Sequence, residues 1–409
     1  MNISQIKQIL DETAYVRTGG SDTEKRCADY LEKLCREMGL RTHQESFEVD
    51  MASIEQAELW VDGEQIPCKG YFCAGNAEVE APLYYLPSTD PHSLSLCKGK
   101  IVMIDTYLGY WIYRDLLDNG AVGFITYSGD MTHPNDDIDQ RELRSYVSKG
   151  DKIPGINLNV KSAVKLIEQD AKTARILLRQ NEYKGTSQNV IAELPGETDE
   201  VVVLTAHYDS TSLSTGAYDN MSGCIGLLGI AEYFRTCPHR YGMRFVFCGS
   251  EERGLLGSKA YVAAHEEDLK KAVLNINLDM IGCTMGKFIA CCTAEEKLVH
   301  YISYLSCEAG FGVSPYQGVY SSDSTPFADQ GIPAVSFARI APSNTATIHN
   351  RFDTLAVMKP EQVQRDVDFL ISFTDRMVCA ARCPVAREMP DNMKEKLDHY
   401  LCRKRSPKK

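Results

Sequence analysis

Nowhere in the 409 residues is there an apolar run of the roughly 18 residues that a membrane-spanning helix needs, so no membrane partner is expected. The opening twenty residues, MNISQIKQILDETAYVRTGG, lack the uninterrupted apolar core of a secretory signal. No C-x-x-C pair occurs among the 15 cysteines, which argues against a thiolate zinc site. Their odd number and irregular spacing also argue against a disulfide framework; reduced, mostly buried thiols of a cytoplasmic protein are expected instead. Positive charge is in deficit, 44 Lys and Arg against 56 Asp and Glu, and a net charge of −12 argues against a nucleic-acid partner. No feature specifies an oligomer.

What is present is an ordinary globular composition, 44% hydrophobic and 24% charged, in a chain long enough for two domains. Residues 1–56 read as two helices and a strand. Ser21-Asp-Thr-Glu24 has capping-box spacing ahead of Cys27, Leu31, Leu34 and Cys35, which share one helical face that Gly39 would end. From 57 to 184 the texture changes to short strand-like runs, AELWV, PLYYLP, KIVMID, AVGFITY and ILLRQ, with helix-like segments at 111–117 and 160–170. This predicts a β-rich inserted domain. Its two histidines, His92 and His133, read as surface residues, and Asp136, Asp137 and Asp139 as a solvated loop.

Residues 185–388 alternate strands with helices, which predicts an α/β fold with a mostly parallel mixed sheet covered by helices on both faces. Helices are expected over 222–234, 256–270, 295–309 and 360–383, and 389–409 is read as a tail with a basic, frayed end. The organising stretch is VVVLTAHYDSTSLSTGAYDNMSG, residues 201–223. A β-branched strand ends at His207 and Asp209, a Ser/Thr/Gly loop follows, and Asp219 stands just before a helix. The pattern recurs down the chain. RFVFC is followed by Glu251-Glu252, VLNINL by Asp279, and AVSFA by a loop holding His349.

Parallel strands put all their carboxyl ends at one edge, where open α/β sheets bind ligands. Dispersed residues can therefore converge there. Imidazole nitrogens and carboxylate oxygens without thiolate suit zinc, or manganese or cobalt. Two His and three carboxylates exceed the needs of one open site and suit two ions, roughly 3.5–4 Å apart, sharing a carboxylate. Of adjacent Glu251 and Glu252, one can ligate while the other takes a proton. Asp209, two residues beyond His207, can accept the imidazole N–H.

At these residues the chain resembles the co-catalytic di-zinc aminopeptidase family, whose relatives include bacterial leucine-type aminopeptidases and glutamate carboxypeptidase. The resemblance rests on AHYDS, AYDNMSG, FCGSEERGLLGS, NINLDMIG and TIHNRFDT, with SQNVIAELPG and SDTEKRCADYLEKL as flanking matches. It implies a zinc-exopeptidase fold, two Zn2+ and a peptide substrate. Asp219 would bridge, Glu252 and His349 would complete one site, and His207 and Asp279 the other. Glu251 would be the general base and Asp209 the partner of His207. LCKGKIVMID and NGAVGFITY resemble a protease-associated domain, which implies a lid or recognition module rather than a catalytic part.

Two departures are visible. Ser322-Asp323-Ser324 replaces the family's Ser-Asp-His, and Asn220 stands where some members carry a second acid. Asp279 in place of Glu leans toward an aminopeptidase. The rivals are a carboxypeptidase or dipeptidase, with Arg339 as the carboxylate clamp, and a non-catalytic binding protein of the same fold. A surface salt bridge is the plainer expectation for Arg339.

Overall fold

The computed structural model describes residues 1–105 and 107–405. Two compact units are present, Met1–Glu48 with Thr186–Lys409, and Val49–Gly185. The boundaries fall inside two long unbroken strands, Arg41–Val61 and Thr173–Leu194.

In the first unit the strand order is Ser314–Gln317, Lys287–Thr293, Ala334–Ile340, Ala272–Leu278, Val201–His207, Gly242–Cys248, then the end of Thr173–Leu194. The four strands from Ala334–Ile340 to Gly242–Cys248 run parallel. Antiparallel partners flank them on either side. Every residue of Ala272–Leu278 is buried, as a parallel strand covered on two faces must be. Alternate residues of the His207 strand feed two cores. Val202, Leu204 and Ala206 pack with Leu227, Leu228 and Phe373, and Val203 with Tyr261, Val262 and Phe327. Several polar residues of the sheet bond to one another or to a neighbouring serine. Thr205 donates to Asn277 at 2.8 Å, and Asn277 donates to Ser322 and Ser336.

The second unit has its own core, built around Val102, Met103, Phe124, Ile125 and Leu158. Strands Ala77–Leu86, Ile101–Ile104, Gly123–Ser128 and Gly155–Asn159 pair in parallel; helix Tyr110–Asp118 lies between the second and third in sequence, and Val160–Glu168 follows the last. His92 is exposed and His133 half-buried, and Asp136 pairs with Lys161.

Three expectations need correction. The helix from Leu256 ends at Ala264; His265 caps it and a 3-10 turn, Asp268–Lys271, follows. The helix from Pro360 ends at Val378. Residues 389–405 are no loose tail, because a helix, Asp391–Tyr400, buries Met393 and Leu397, and Arg403 pairs with Asp329. Residues 406–409 of the expected frayed end lie outside the described residues.

Candidate metal centre

His207 is the last residue of its strand and 1% exposed. Its Nε2 lies 3.1 Å from Asp219 Oδ1, 3.6 Å from Asp279 Oδ1 and 4.0 Å from Glu251 Oε2. His349 Nε2 lies 3.1 Å from Asp219 Oδ2 and 3.2 Å from Glu252 Oε2. Two triads result, His207–Asp219–Asp279 and Asp219–Glu252–His349, each with ligand atoms within 4.8 Å of one another. Asp219 belongs to both, one oxygen turned to each imidazole. Glu251 belongs to neither.

Two residues of the triads, Asp219 and Glu252, are held through their backbone N–H groups. Asp209, fully buried, accepts the N–H of Glu251 at 2.9 Å and of Glu252 at 3.1 Å, while its Oδ1 lies 3.4 Å from His207 Nδ1. It therefore steadies two segments rather than the imidazole alone. Asp353, four residues after His349, accepts from the N–H groups of Tyr218 and Asp219 at 2.8 and 3.1 Å. Arg17, fully buried, donates to the carbonyls of Tyr208 and Gly216 and so ties the His207 strand end to the Asp219 loop.

Asn220 is buried and its side-chain amide is committed within the fold. Its amide donates to Leu278 O and accepts from Gly223 and Met280 N–H, pinning the turn that presents Asp279. Asp323 is buried with neither oxygen in a hydrogen bond. Arg339, 11% exposed, is bound to fully buried Asp366 and lies over Phe288 and Phe311. The surface salt bridge expected for it is a buried pair, and the guanidinium is committed. The reason is its place on a core strand, opposite the helix that carries Asp366.

The electrostatics are those of crowded acids. Burial pushes the Glu251 pKa well above the carboxylate range; His207 opposes this, and Glu252, Asp323 and Asp279 add to it. Burial works against charge on His207, but Glu251, Asp209, Asp219 and Asp279 together carry its pKa well above the usual value. Burial also opposes charge on His349, and Glu252 and Asp219 override it in the same way. Asp219 is held below the usual range by the two imidazoles in spite of burial. Burial raises Asp323 to about 6.

Sequence reasoning did not select Glu24, Arg17, Asp323 or Asp353. Asp323 and Asp353 stood inside quoted motifs, Ser322-Asp323-Ser324 and TIHNRFDT, and Glu24 inside SDTEKRCADYLEKL, where it was read only as part of a capping box.

The residues fit a divalent metal pair. The donors are nitrogen and oxygen, Asp279 Oδ1 is buried with no hydrogen bond, and one carboxylate splits its oxygens between two triads. A parallel α/β unit carrying such a centre at the carboxyl edge of its sheet has the framework of a metal-dependent hydrolase. Residues 189–374 match the model of peptidase family M28.

Aminopeptidase YwaD of Bacillus subtilis is 31% identical over 231 residues, covering 53% of this chain and 50% of that protein. The probable lipoprotein aminopeptidase LpqL of Mycobacterium tuberculosis is 25% identical over 298 residues, covering 69% and 58%. The chain thus spans about half the length of the curated relatives it matches. The solved structure of BSAP, a zinc aminopeptidase from Bacillus subtilis, aligns with a TM-score of 0.77 at 25% identity, over 95% of this chain and 97% of that one.

Proposed function

We propose that the protein is a di-zinc aminopeptidase that releases the amino-terminal residue of peptides. The observation that carries this reading is Asp219, whose two oxygens address His207 and His349 separately. Asp279 and Glu252 complete the two donor sets. Zinc bound there would polarise the scissile carbonyl and lower the pKa of a water. Glu251, outside both sets and within 4.0 Å of His207, takes the proton of the attacking water and delivers it to the leaving amine. Asp209 keeps Glu251 and Glu252 in place through their backbone N–H groups.

An aminopeptidase is favoured over a carboxypeptidase because Arg339, the candidate carboxylate clamp, is already bound to Asp366. The names of YwaD, LpqL and BSAP point the same way. A non-catalytic role is disfavoured by the retention of all five ligand residues and Glu251. We read the Val49–Gly185 unit as a recognition module of the protease-associated type, on its parallel strands and the LCKGKIVMID and NGAVGFITY segments. A reducing, cytoplasmic compartment fits 15 cysteines that all stand as thiols; reaction of native protein with a thiol reagent should count about that many after unfolding, with or without reductant.

The decisive experiment combines metal analysis with substrate choice. The purified protein should carry two zinc equivalents and cleave unblocked amino-acid p-nitroanilides but not N-acetylated ones. Protein that binds no divalent metal, or that trims N-blocked peptides from their carboxyl ends, would overturn the reading.

A further inference from the structure

Glu24 lies in the second helix, nearly two hundred residues before the first ligand, and is fully buried. The sequence pattern makes it the far half of a capping box. Ser21 does cap the helix by accepting the Glu24 N–H, but the Glu24 carboxylate does not return the bond. It reaches into the metal-bearing edge of the sheet. Oε1 accepts the N–H of Ser250 at 2.8 Å, the Ser250 hydroxyl at 3.2 Å and the Ser187 hydroxyl at 3.0 Å; Oε2 accepts the N–H of Gly20.

Ser250 immediately precedes Glu251 and Glu252, and its φ is +53°, the left-handed region that a serine adopts only under constraint. Its neighbours are arranged for that constraint. A Cβ at Gly249 would meet Glu24 Oε1 at 2.9 Å, and one at Gly19 would meet the Ser250 hydroxyl at 2.4 Å. Three consecutive backbone N–H groups, those of residues 250, 251 and 252, therefore end on two buried carboxylates. Glu24 takes the first and Asp209 the next two.

We infer that Glu24 is a positioning residue for the reaction proposed above: by holding Ser250 in its left-handed turn it sends Glu251 toward the attacking water and Glu252 toward the metal. The inference rests on that functional reading, and it assigns a task in catalysis to the amino-terminal helical segment. Glu24 touches neither substrate nor metal. Its effect passes through one backbone conformation, and that makes it separable from a general role in folding.

The test uses the full-length chain with Glu24→Ala and Glu24→Gln, each alone and combined with Ser250→Gly. Glycine takes the left-handed φ without a partner to enforce it. With saturating zinc, the Glu24 variants should lose about 10- to 100-fold in kcat with KM within about threefold, the size of effect that a small misplacement of a catalytic group produces. Chelator competition should show zinc held about tenfold more weakly at one site, since Glu252 moves with Glu251. Ser250→Gly should recover most of both losses in the Glu24→Ala background. Wild-type kcat and zinc affinity in both single variants would overturn the assignment. So would a Glu24→Ala chain that unfolds, or loses activity, and is not restored by Ser250→Gly, since that assigns Glu24 to folding alone. A wild-type protein that is zinc-loaded yet inert on every peptide substrate would instead sink the functional reading. The zinc-affinity ratios between variants would then still report on Glu24.

Discussion

Asp219 and Glu251 are both buried carboxylates in one cluster, yet the structure sets them apart. Asp219 is held low by imidazoles on both oxygens, whereas Glu251 is pushed up by burial and by its acidic neighbours. Asp219 also belongs to both triads, whereas Glu251 belongs to neither. Glu251→Gln should therefore keep both metals in elemental analysis while kcat falls by about 10²–10⁴-fold, the range typical of a lost general base. Asp209→Asn should act differently. It removes a carboxylate that accepts two backbone N–H groups and faces His207, and metal affinity should fall about 10- to 100-fold in a chelator titration. The residues of the two triads were legible in the sequence because residue type and position at strand ends both carry information. Asp353 and Arg17 were not, because they bind backbone atoms of remote segments, and no spacing rule marks an acid or a guanidinium that acts on a peptide unit.

Between those side chains and the sheet stand the elements that aim them. The helix Ser222–Phe234 begins one turn after Asp219 and touches the strand end before Asp279 through glycine. A Cβ on Gly223 would lie 2.4 Å from the carbonyl oxygen of Leu278 and 2.5 Å from Asn220 Oδ1. Gly226 and Gly229, on the same face, would meet Leu278 and Val367. Gly223→Ala should thus separate Asp219 from Asp279 without removing a ligand, and zinc affinity should drop at the His207 site more than at the His349 site. This helix was plain in the sequence from its apolar run. The strand Ser314–Gln317 was not expected, since SPYQ at a sheet edge has no alternation, and neither was the six-residue helix Ser324–Asp329. The helix from Leu256 was drawn too long because Lys270 continued an amphipathic pattern that the chain abandons at His265. There His265 meets Glu45 at 2.8 Å and links the helix end to the strand starting at Arg41. Burial alone would raise Glu45, but the bonds from His265 and His43 hold its pKa below the usual value. A lowered folded pKa means stability that is present at neutral pH and lost as the pH falls through the acidic range where Glu45 takes its proton. Glu45→Gln should flatten the acid limb of a Tm-versus-pH curve and leave the neutral plateau close to wild type.

At the scale of the whole larger unit, both termini reach the site that the middle of the chain supplies. The amino-terminal segment brings Arg17, between its two helices, and Glu24, in the second, to the edge where the triads lie. The carboxyl-terminal helix Asp391–Tyr400 braces the segment around Asp323. Met389, Met393 and Leu397 are buried against Ala328 and Ala334, the Tyr400 hydroxyl meets Ser321 at 2.7 Å, and Arg403 makes a two-pronged pair with Asp329 at 2.6 Å. The sequence hid this brace because its apolar residues are few and surrounded by charge, so that only the uncovered Ala328–Ala334 surface explains why they fold back. Three apolar side chains of this size are worth about 4–9 kcal/mol as an upper bound on burial, and exposed ion pairs add little. A chain ending at Glu388 should therefore melt at a distinctly lower temperature in calorimetry. It should still bind two zinc ions, because none of the five ligand residues is touched, but kcat should fall as Tyr320–Asp329 loosens beside Asp279 and Glu251. Restoring residues 389–405 with Met393→Asp should reproduce the truncation, since a charge at that buried position denies the helix its seat. If the Met393→Asp chain instead melted and turned over like the wild type, the brace would contribute nothing, and the burial of Met393 would be incidental to the site.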